Sequence, residues 1–309
     1  MSTEAKILPV GTRLDDYLIG KPLGGGGFSL VYLARELSSG RDVVIKEYMP
    51  SKLATRIDGN SVVASDESHI DRFAHGRRLF FQEASTLATL KHPNIVNVTN
   101  FFRANGTVYM VMEYEEGINL QAYIKRHGGN LSETFLRTVF VPLLDGLNLI
   151  HSRGLLHLDI KPSNIYLRQG ANPLLLDFGA VHEMMHSRQF QATQVITPGF
   201  SPIEQLDPGG YVGPWTDIYA IGATMRACIE GKSPPPSVAR REQDNMRPAA
   251  SAFRKRYSAS LLEAIDWAME VDPLFRPQDV AGLLGALSGA ARHADNGDGI
   301  SSRVSWSKD

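Results

Sequence analysis

The sequence holds a single cysteine, Cys228, among 309 residues. That excludes an intrachain disulfide and any zinc site built on paired cysteines, and it fits a reducing compartment. Net charge is nearly absent: 32 Lys and Arg oppose 33 Asp and Glu, so no overall field draws the chain to nucleic acid, an anionic membrane or a charged partner. Recognition must therefore be local, and no nucleic-acid partner is expected. No apolar run reaches the roughly 18 residues that span a bilayer, and the opening MSTEAKILPVGTRL has no long apolar core of a secretory signal. The expectation is a cytoplasmic chain without a transmembrane segment. No repeat is visible, and nothing bears on oligomeric state.

What is present is globular: 43% hydrophobic and 21% charged residues are ordinary for a folded domain. Over 17–56, short apolar stretches alternate with turn signals (YLIGKPL, a glycine run, SLVYLAREL, DVVIKEY), a β-meander pattern with Ser39-Gly40 as a hairpin turn. The polar stretch 49–68 reads as a loop of some twenty residues, and 69–90 takes helical spacing. Two more strand-like stretches flank Asn105-Gly106. Beyond Gly117 the spacing is mainly helical, in NLQAYIKRH, ETFLRTVFVPLLDGLNLIHSRG, DIYAIGATMRACIEG and SLLEAIDWAMEV. The segment GKSPPPSVARREQDNMRP reads as a proline-broken loop, and 292–309 as a disordered tail. The class is α+β: a small β-rich lobe, a linker near 113–117 and a larger helical lobe, with a cleft between them suited to a ligand.

Five features carry chemistry. Gly24-Gly25-Gly26-Gly27 lies between two strands, where backbone N–H groups could approach phosphates unobstructed by Cβ atoms, or could simply form a flexible hairpin. Lys46 follows on the next strand, in VVIK. Glu83 shares a helical face with Phe80 and Leu87; a carboxylate in an apolar stripe needs a partner, and Lys46 is the obvious inward one unless Glu83 reaches solvent from the helix edge. The segment HLDIKPSN places Asp159, a candidate proton acceptor, beside Lys161, a cation for a transferring phosphoryl group, and Asn164, an oxygen donor for a divalent cation. Pro162 bars a regular helix there. Eighteen residues after Asp159, an apolar stretch ends in Asp177-Phe178-Gly179 and supplies a second candidate metal ligand.

Together these motifs resemble the protein kinase family, and the phrases KEYMPSKLATR, FFRANGTVYMVMEYEEG and TPGFSPIEQ resemble the eukaryotic-like (Hanks-type) Ser/Thr kinases of bacteria. The resemblance implies a bilobal kinase domain over 17–291, with an N-lobe at 17–114, a C-lobe at 118–291 and an extension at 1–16. It implies ATP and Mg²⁺, or Mn²⁺, as cofactors and protein substrates with Ser or Thr acceptors. By the same likeness Asp159, Lys161, Lys46 and Glu83 are the catalytic set, and Asn164 and Asp177 hold metal. The nucleotide is bound by Leu23, Gly24, Gly25, Gly26, Gly27, Val31, Val44, Lys46, Met112, Glu113, Glu115 and Asn119, with Met112 as gatekeeper and the backbone of Glu113 and Glu115 at adenine. Glu204 of Ser-Pro-Ile-Glu is expected to pair with Arg276, and Asp217 to open a buried helix. Lys161 and Thr197 match the Ser/Thr form. Thr193, Ser187 and Thr197 are candidate autophosphorylation sites.

Three positions depart from the family pattern. Ser29 replaces a usual glycine, and Val44 replaces a smaller alanine in the adenine pocket. Leu158 replaces the arginine before the catalytic aspartate, the side chain that collects a phosphate on the activation segment in kinases switched that way. Leucine offers no donor, so such phosphorylation is not expected to be the main switch. A non-catalytic scaffold of the same fold would not need the complete polar set, and a small-molecule phosphotransferase would not need the Glu204–Arg276 platform.

Overall fold

A computed structural model describes residues 6–176, 196–207 and 209–289 together with the backbone of 182–183. The first region consists of strands β1 (Arg13–Leu14), β2 (Tyr17–Gly25), β3 (Ser29–Glu36), β4 (Asp42–Tyr48), β5 (Ala54–Ile57) and β6 (Ser61–Ala64), helix α1 (Ile70–Ala88), and strands β7 (Val98–Ala104) and β8 (Thr107–Glu113). Six of the strands form one antiparallel sheet in the order β1-β2-β3-β4-β8-β7. The expected turns hold: Gly40, Asn105 and Gly106 all take positive φ, as tight hairpins require.

Register decides what each face of this sheet does, because residues directly opposite one another in an antiparallel pair share a face. Lys46 lies opposite Val31 and Met110, Val44 opposite Leu33 and Met112, and Gly24 opposite Val31. One face therefore carries Gly24, Val31, Val44, Lys46 and Met112. The other carries Tyr32, Ile45, Glu47 and Tyr109, all fully buried.

What buries that second face corrects one expectation. The stretch 49–68 is not an irregular loop: β5 and β6 pair as a hairpin that buries Ala54 and Val62. Arg56 of β5 reaches Glu47 at 2.6 Å, with both side chains almost fully buried. Glu47 also accepts from Tyr32 (2.9 Å) and Tyr109 (2.7 Å). A polar-looking insertion thus folds because its one inward arginine meets a buried carboxylate, a partnership that spacing alone does not announce. The extension at 1–16 is likewise part of the lobe where it is described: Leu8 and Leu14 are buried and β1 joins the sheet.

The second region contains β9 (Ile118–Asn119), α2 (Leu120–His127), α3 (Glu133–Ser152), β10 (Leu155–Leu156), β11 (Ile165–Arg168), β12 (Asn172–Leu175), β13 (His182–Glu183), α4 (Ile203–Leu206), α5 (Pro214–Glu230), α6 (Ser237–Glu242), α7 (Ala249–Ala252), α8 (Ala259–Ala268) and α9 (Val280–Ser288). Helix α5 is buried on every side from Thr216 to Ile229, as its all-round apolar sequence requires, and α3, α8 and α9 pack around it. The proline-rich stretch after Gly231 is not wholly a loop, since α6 forms within it. The tail at 292–309 lies outside the described residues.

Candidate active site

Two short strands and a turn set up the loop that carries the candidate base. After β10 the chain runs through His157, Leu158 and Asp159 to a 3-10 turn, Pro162–Asn164, and into β11. Leu158 sits at φ +60, a left-handed conformation that a leucine adopts only when its surroundings enforce it. The enforcement is polar. Asp217, fully buried near the start of α5, accepts from the N–H groups of His157 (2.9 Å) and Leu158 (2.8 Å) and from His151 Nε2 (2.8 Å). Burial alone would raise the Asp217 pKa, but the His151 hydrogen bond and charge, with His157, hold it below the ordinary carboxylate value. On the other side of the turn, Gln205 Nε2 donates to the Leu158 carbonyl at 2.7 Å.

This clamp presents Asp159, which is buried but for 8% of its surface. Its Oδ1 accepts from Lys161 Nζ at 2.8 Å and from Thr197 Oγ1 at 3.1 Å, and its Oδ2 accepts from Asn164 Nδ2 at 2.9 Å. Lys161 also reaches the Thr197 hydroxyl at 3.1 Å. A carboxylate so oriented can receive a proton from an alcohol placed beside it, with the adjacent ammonium offsetting charge on a phosphoryl group. The amide nitrogen of Asn164 is committed to Asp159, both to its side chain and to its carbonyl (2.9 Å), which leaves the amide oxygen as the group able to meet a cation. The Leu176 N–H donates to the Asn164 carbonyl at 2.8 Å. Asp177, the next residue, lies outside the described residues, as do Ser187 and Thr193.

The sheet supplies the opposite wall. Lys46 is buried on the face shared with Gly24, Val31, Val44 and Met112, and its Nζ lies 5.8 Å from the centre of the Phe80 ring on α1. Glu83, half-buried, follows Phe80 by one turn on the same helix face. Gly24, Gly26 and Gly27 would meet nothing within 4 Å if they carried a Cβ, whereas at Gly25 a Cβ would crowd the Leu30 side chain and the Ser29 carbonyl. Packing therefore requires a glycine at only one of the four positions, which favours close approach by a ligand over a purely structural hairpin. Leu23 is exposed at the mouth. Glu113 gives its N–H to the Asn97 carbonyl at 3.2 Å, so its own carbonyl is what it could offer adenine. The Glu115 carboxylate is paired with Arg168 at 3.1 Å, and Asn119 caps α2 by accepting from the Ala122 N–H at 2.7 Å.

Glu204 and Arg276 meet as expected. The pair is bidentate, at 2.7 and 3.1 Å, almost fully buried, with Thr216 Oγ1 donating to Glu204 at 3.0 Å and the Tyr219 ring 4.7 Å from the guanidinium. His151 and Gln205 were not singled out from the sequence. A histidine near a helix end and a glutamine before a loop carry no signal until the fold brings them to Asp217 and Leu158.

Comparison with known proteins bears on the family and the fold. The protein kinase domain family matches residues 17–281. Curated relatives include the CBL-interacting serine/threonine-protein kinase 13 of Arabidopsis thaliana, 34% identical over 224 residues (72% of this chain, 40% of the relative). They also include the serine/threonine-protein kinase PknA of Nostoc sp., 33% identical over 229 residues (71% and 37%). The chain thus spans about two fifths of the length of such relatives. Among solved structures, the apo form of PpkA-294 aligns with a TM-score of 0.81 and 36% identity over 91% of this chain and 99% of that one. Rad53 1–466 in complex with AMP-PNP aligns at 0.64 and 23% identity, over 88% of this chain and 64% of that one, a likeness of fold alone. With a domain match over most of its length and a bilobal architecture to go with it, this chain belongs to the protein kinase family.

Proposed function

We propose that the protein is an ATP-dependent Ser/Thr kinase that transfers the γ-phosphoryl group to hydroxyls of protein substrates and of its own activation segment. The observation that carries this reading is the polar cluster around Asp159. Its Oδ1 receives both Lys161 and Thr197, and its Oδ2 is fixed by Asn164. In phosphoryl transfer the protein contributes chiefly position and electrostatics. Asp159 orients the acceptor hydroxyl and takes its proton, Lys161 offsets charge beside the transferring group, and Lys46 steadies the phosphates from the sheet side, held there by Glu83. Gly24, Gly26 and Gly27 leave room for backbone N–H groups to approach them. Val31, Val44 and Met112 form the apolar adenine wall, with Leu23 at its rim.

The donor set fits a divalent cation. Among the described residues no group of three His, Cys, Asp or Glu side chains could hold a metal alone. Asn164 and Asp177 would hold Mg²⁺ or Mn²⁺ jointly with the phosphates, the usual arrangement for magnesium at nucleotide sites. The cation would neutralise charge on the phosphates.

Leu158 supports a specific form of regulation. Its side chain is buried with Leu156 and Val212 in a small apolar cluster, so it joins the loop to the chain before α5 by packing and gives nothing to a phosphate. The active loop is thereby set without modification. Incubation with γ-labelled ATP and Mg²⁺, beside Asp159→Ala and Asp177→Ala controls and followed by identification of the labelled residue, tests the assignment. Label on Ser or Thr, lost in both controls, supports it; phosphotyrosine as the main product contradicts it.

A further inference from the structure

Lys46 and Glu83 can cooperate only if α1 stands at one height and one rotation against β4, and the family motifs do not say what sets that placement here. On α1 the stripe Phe73, Gly76, Phe80, Glu83 and Leu87 faces inward at helical spacing. On β4, Tyr48 shares the face of Lys46, two residues away, and is buried. Its ring lies 5.7 Å from that of Phe73 and 5.6 Å from that of Phe80, and between those two contacts its hydroxyl points at the backbone of Gly76. A Cβ at Gly76 would lie 2.0 Å from the Tyr48 Oη and 2.9 Å from its Cζ. With Tyr48 in this position, any side chain larger than hydrogen at Gly76 would have to displace the tyrosine ring or the helix. A glycine inside a helix works against helix formation, so its presence here answers to the tyrosine rather than to the helix. Arg77, the next residue, donates to the Gly106 carbonyl at 2.6 Å and ties the same turn of α1 to the β7–β8 hairpin.

We propose that Tyr48 is a positioning residue for phosphoryl transfer. Seated in the Gly76 socket, it fixes α1 against β4 and so sets where Glu83 stands relative to Lys46, before nucleotide or phosphorylation acts. This rests on the kinase reading above.

The test compares the full-length protein with Gly76→Ala, Tyr48→Phe and the double variant. Two readouts are taken: amide hydrogen exchange along 73–83, and KM for ATP and kcat with dephosphorylated casein as acceptor. Alanine is the better helix former, so without the socket Gly76→Ala would slow exchange and leave kinetics alone. The expected result is the opposite: exchange at least tenfold faster, KM for ATP raised at least fivefold and kcat lowered at least tenfold. Tyr48→Phe keeps the ring contacts with Phe73 and Phe80 and serves as the reference for the double variant. Because it removes the atom in closest conflict, it should bring the double variant back to within threefold of wild type in KM. A protein that was merely destabilised would lose active fraction with KM unchanged. Gly76→Ala with wild-type KM and exchange, or a double variant no better than Gly76→Ala, overturns the proposal. Absence of transfer by wild type overturns the kinase reading and this inference with it, a result distinct from an active wild type that is indifferent to Gly76.

Discussion

Two buried ion pairs hold this molecule in different ways. In the helical region Arg276 grips Glu204 through two nitrogens and fills its remaining donors with the carbonyls of Trp215, Glu270 and Val271. In the sheet region Arg56 reaches Glu47 through one nitrogen, while Tyr32 and Tyr109 donate to the same carboxylate. Burial raises both tyrosine pKa values, and the Glu47 charge raises them further, so both hydroxyls stay protonated as donors. The first pair ties α4 to the stretch between α8 and α9, with Thr216 of α5 donating to Glu204, and Gln205, next to Glu204, holds the loop that carries Asp159. The second fastens a hairpin to the sheet face turned away from Lys46. The two pairs are equally buried but differently placed: one neighbours the loop that holds Asp159, the other lies on the sheet face away from Lys46.

Arg276→Ala gives the largest expected effect. Stranding one member of a buried pair costs about 3–5 kcal/mol, so the melting temperature falls well below wild type, and transfer falls with it even at temperatures where the variant is folded. An unchanged melting curve would show that the pair contributes nothing. Arg56→Met is expected to cost less, about 2–3 kcal/mol, because two tyrosine hydroxyls still donate to Glu47. It should lower the melting temperature while leaving kcat within about threefold; a loss of kcat as deep as that of Arg276→Ala would erase the contrast.

Legibility divides along the same line. Asp159, Lys161 and Asn164 could be read because short-range spacing encodes them and the backbone has little freedom around Pro162, whereas the Glu204–Arg276 pair, 72 residues apart in sequence, is implied only by the family resemblance. The shared face of Val31, Val44, Lys46 and Met112 follows from strand alternation. The β5–β6 hairpin looks like a loop in the sequence because its strands are four residues each and their inward residues include an arginine whose partner lies in another strand. The clamp on Leu158 was half visible: Asp217 stood out at a helix start, but His151 and Gln205 acquire their roles only through contacts 66 and 47 residues away in sequence.

Smaller effects sharpen the contrast. Phosphatase-treated protein should keep most of its initial rate toward a peptide, because Leu158 is fixed by apolar contact with Leu156 and Val212; a tenfold drop reversed by rephosphorylation would show that another side chain collects the phosphate. Acid should act through Asp217. Its pKa is depressed in the folded protein, so its contribution is complete above the unfolded value of about 4 and is lost as pH falls through the lower folded value. Denaturant unfolding from pH 6 down to pH 2.5 should show this decline, flattened in Asp217→Asn. A wild-type curve with no slope below pH 4 would contradict it.

The most direct measurement is transfer from γ-labelled ATP by Asp159→Asn, with folding verified by thermal melting. Asparagine retains an oxygen able to accept from Lys161 and Thr197 but cannot take up a proton. The account predicts a wild-type-like melt with transfer reduced by at least about a hundredfold, within the range for loss of a general base. A folded Asp159→Asn variant working within threefold of wild type would contradict it.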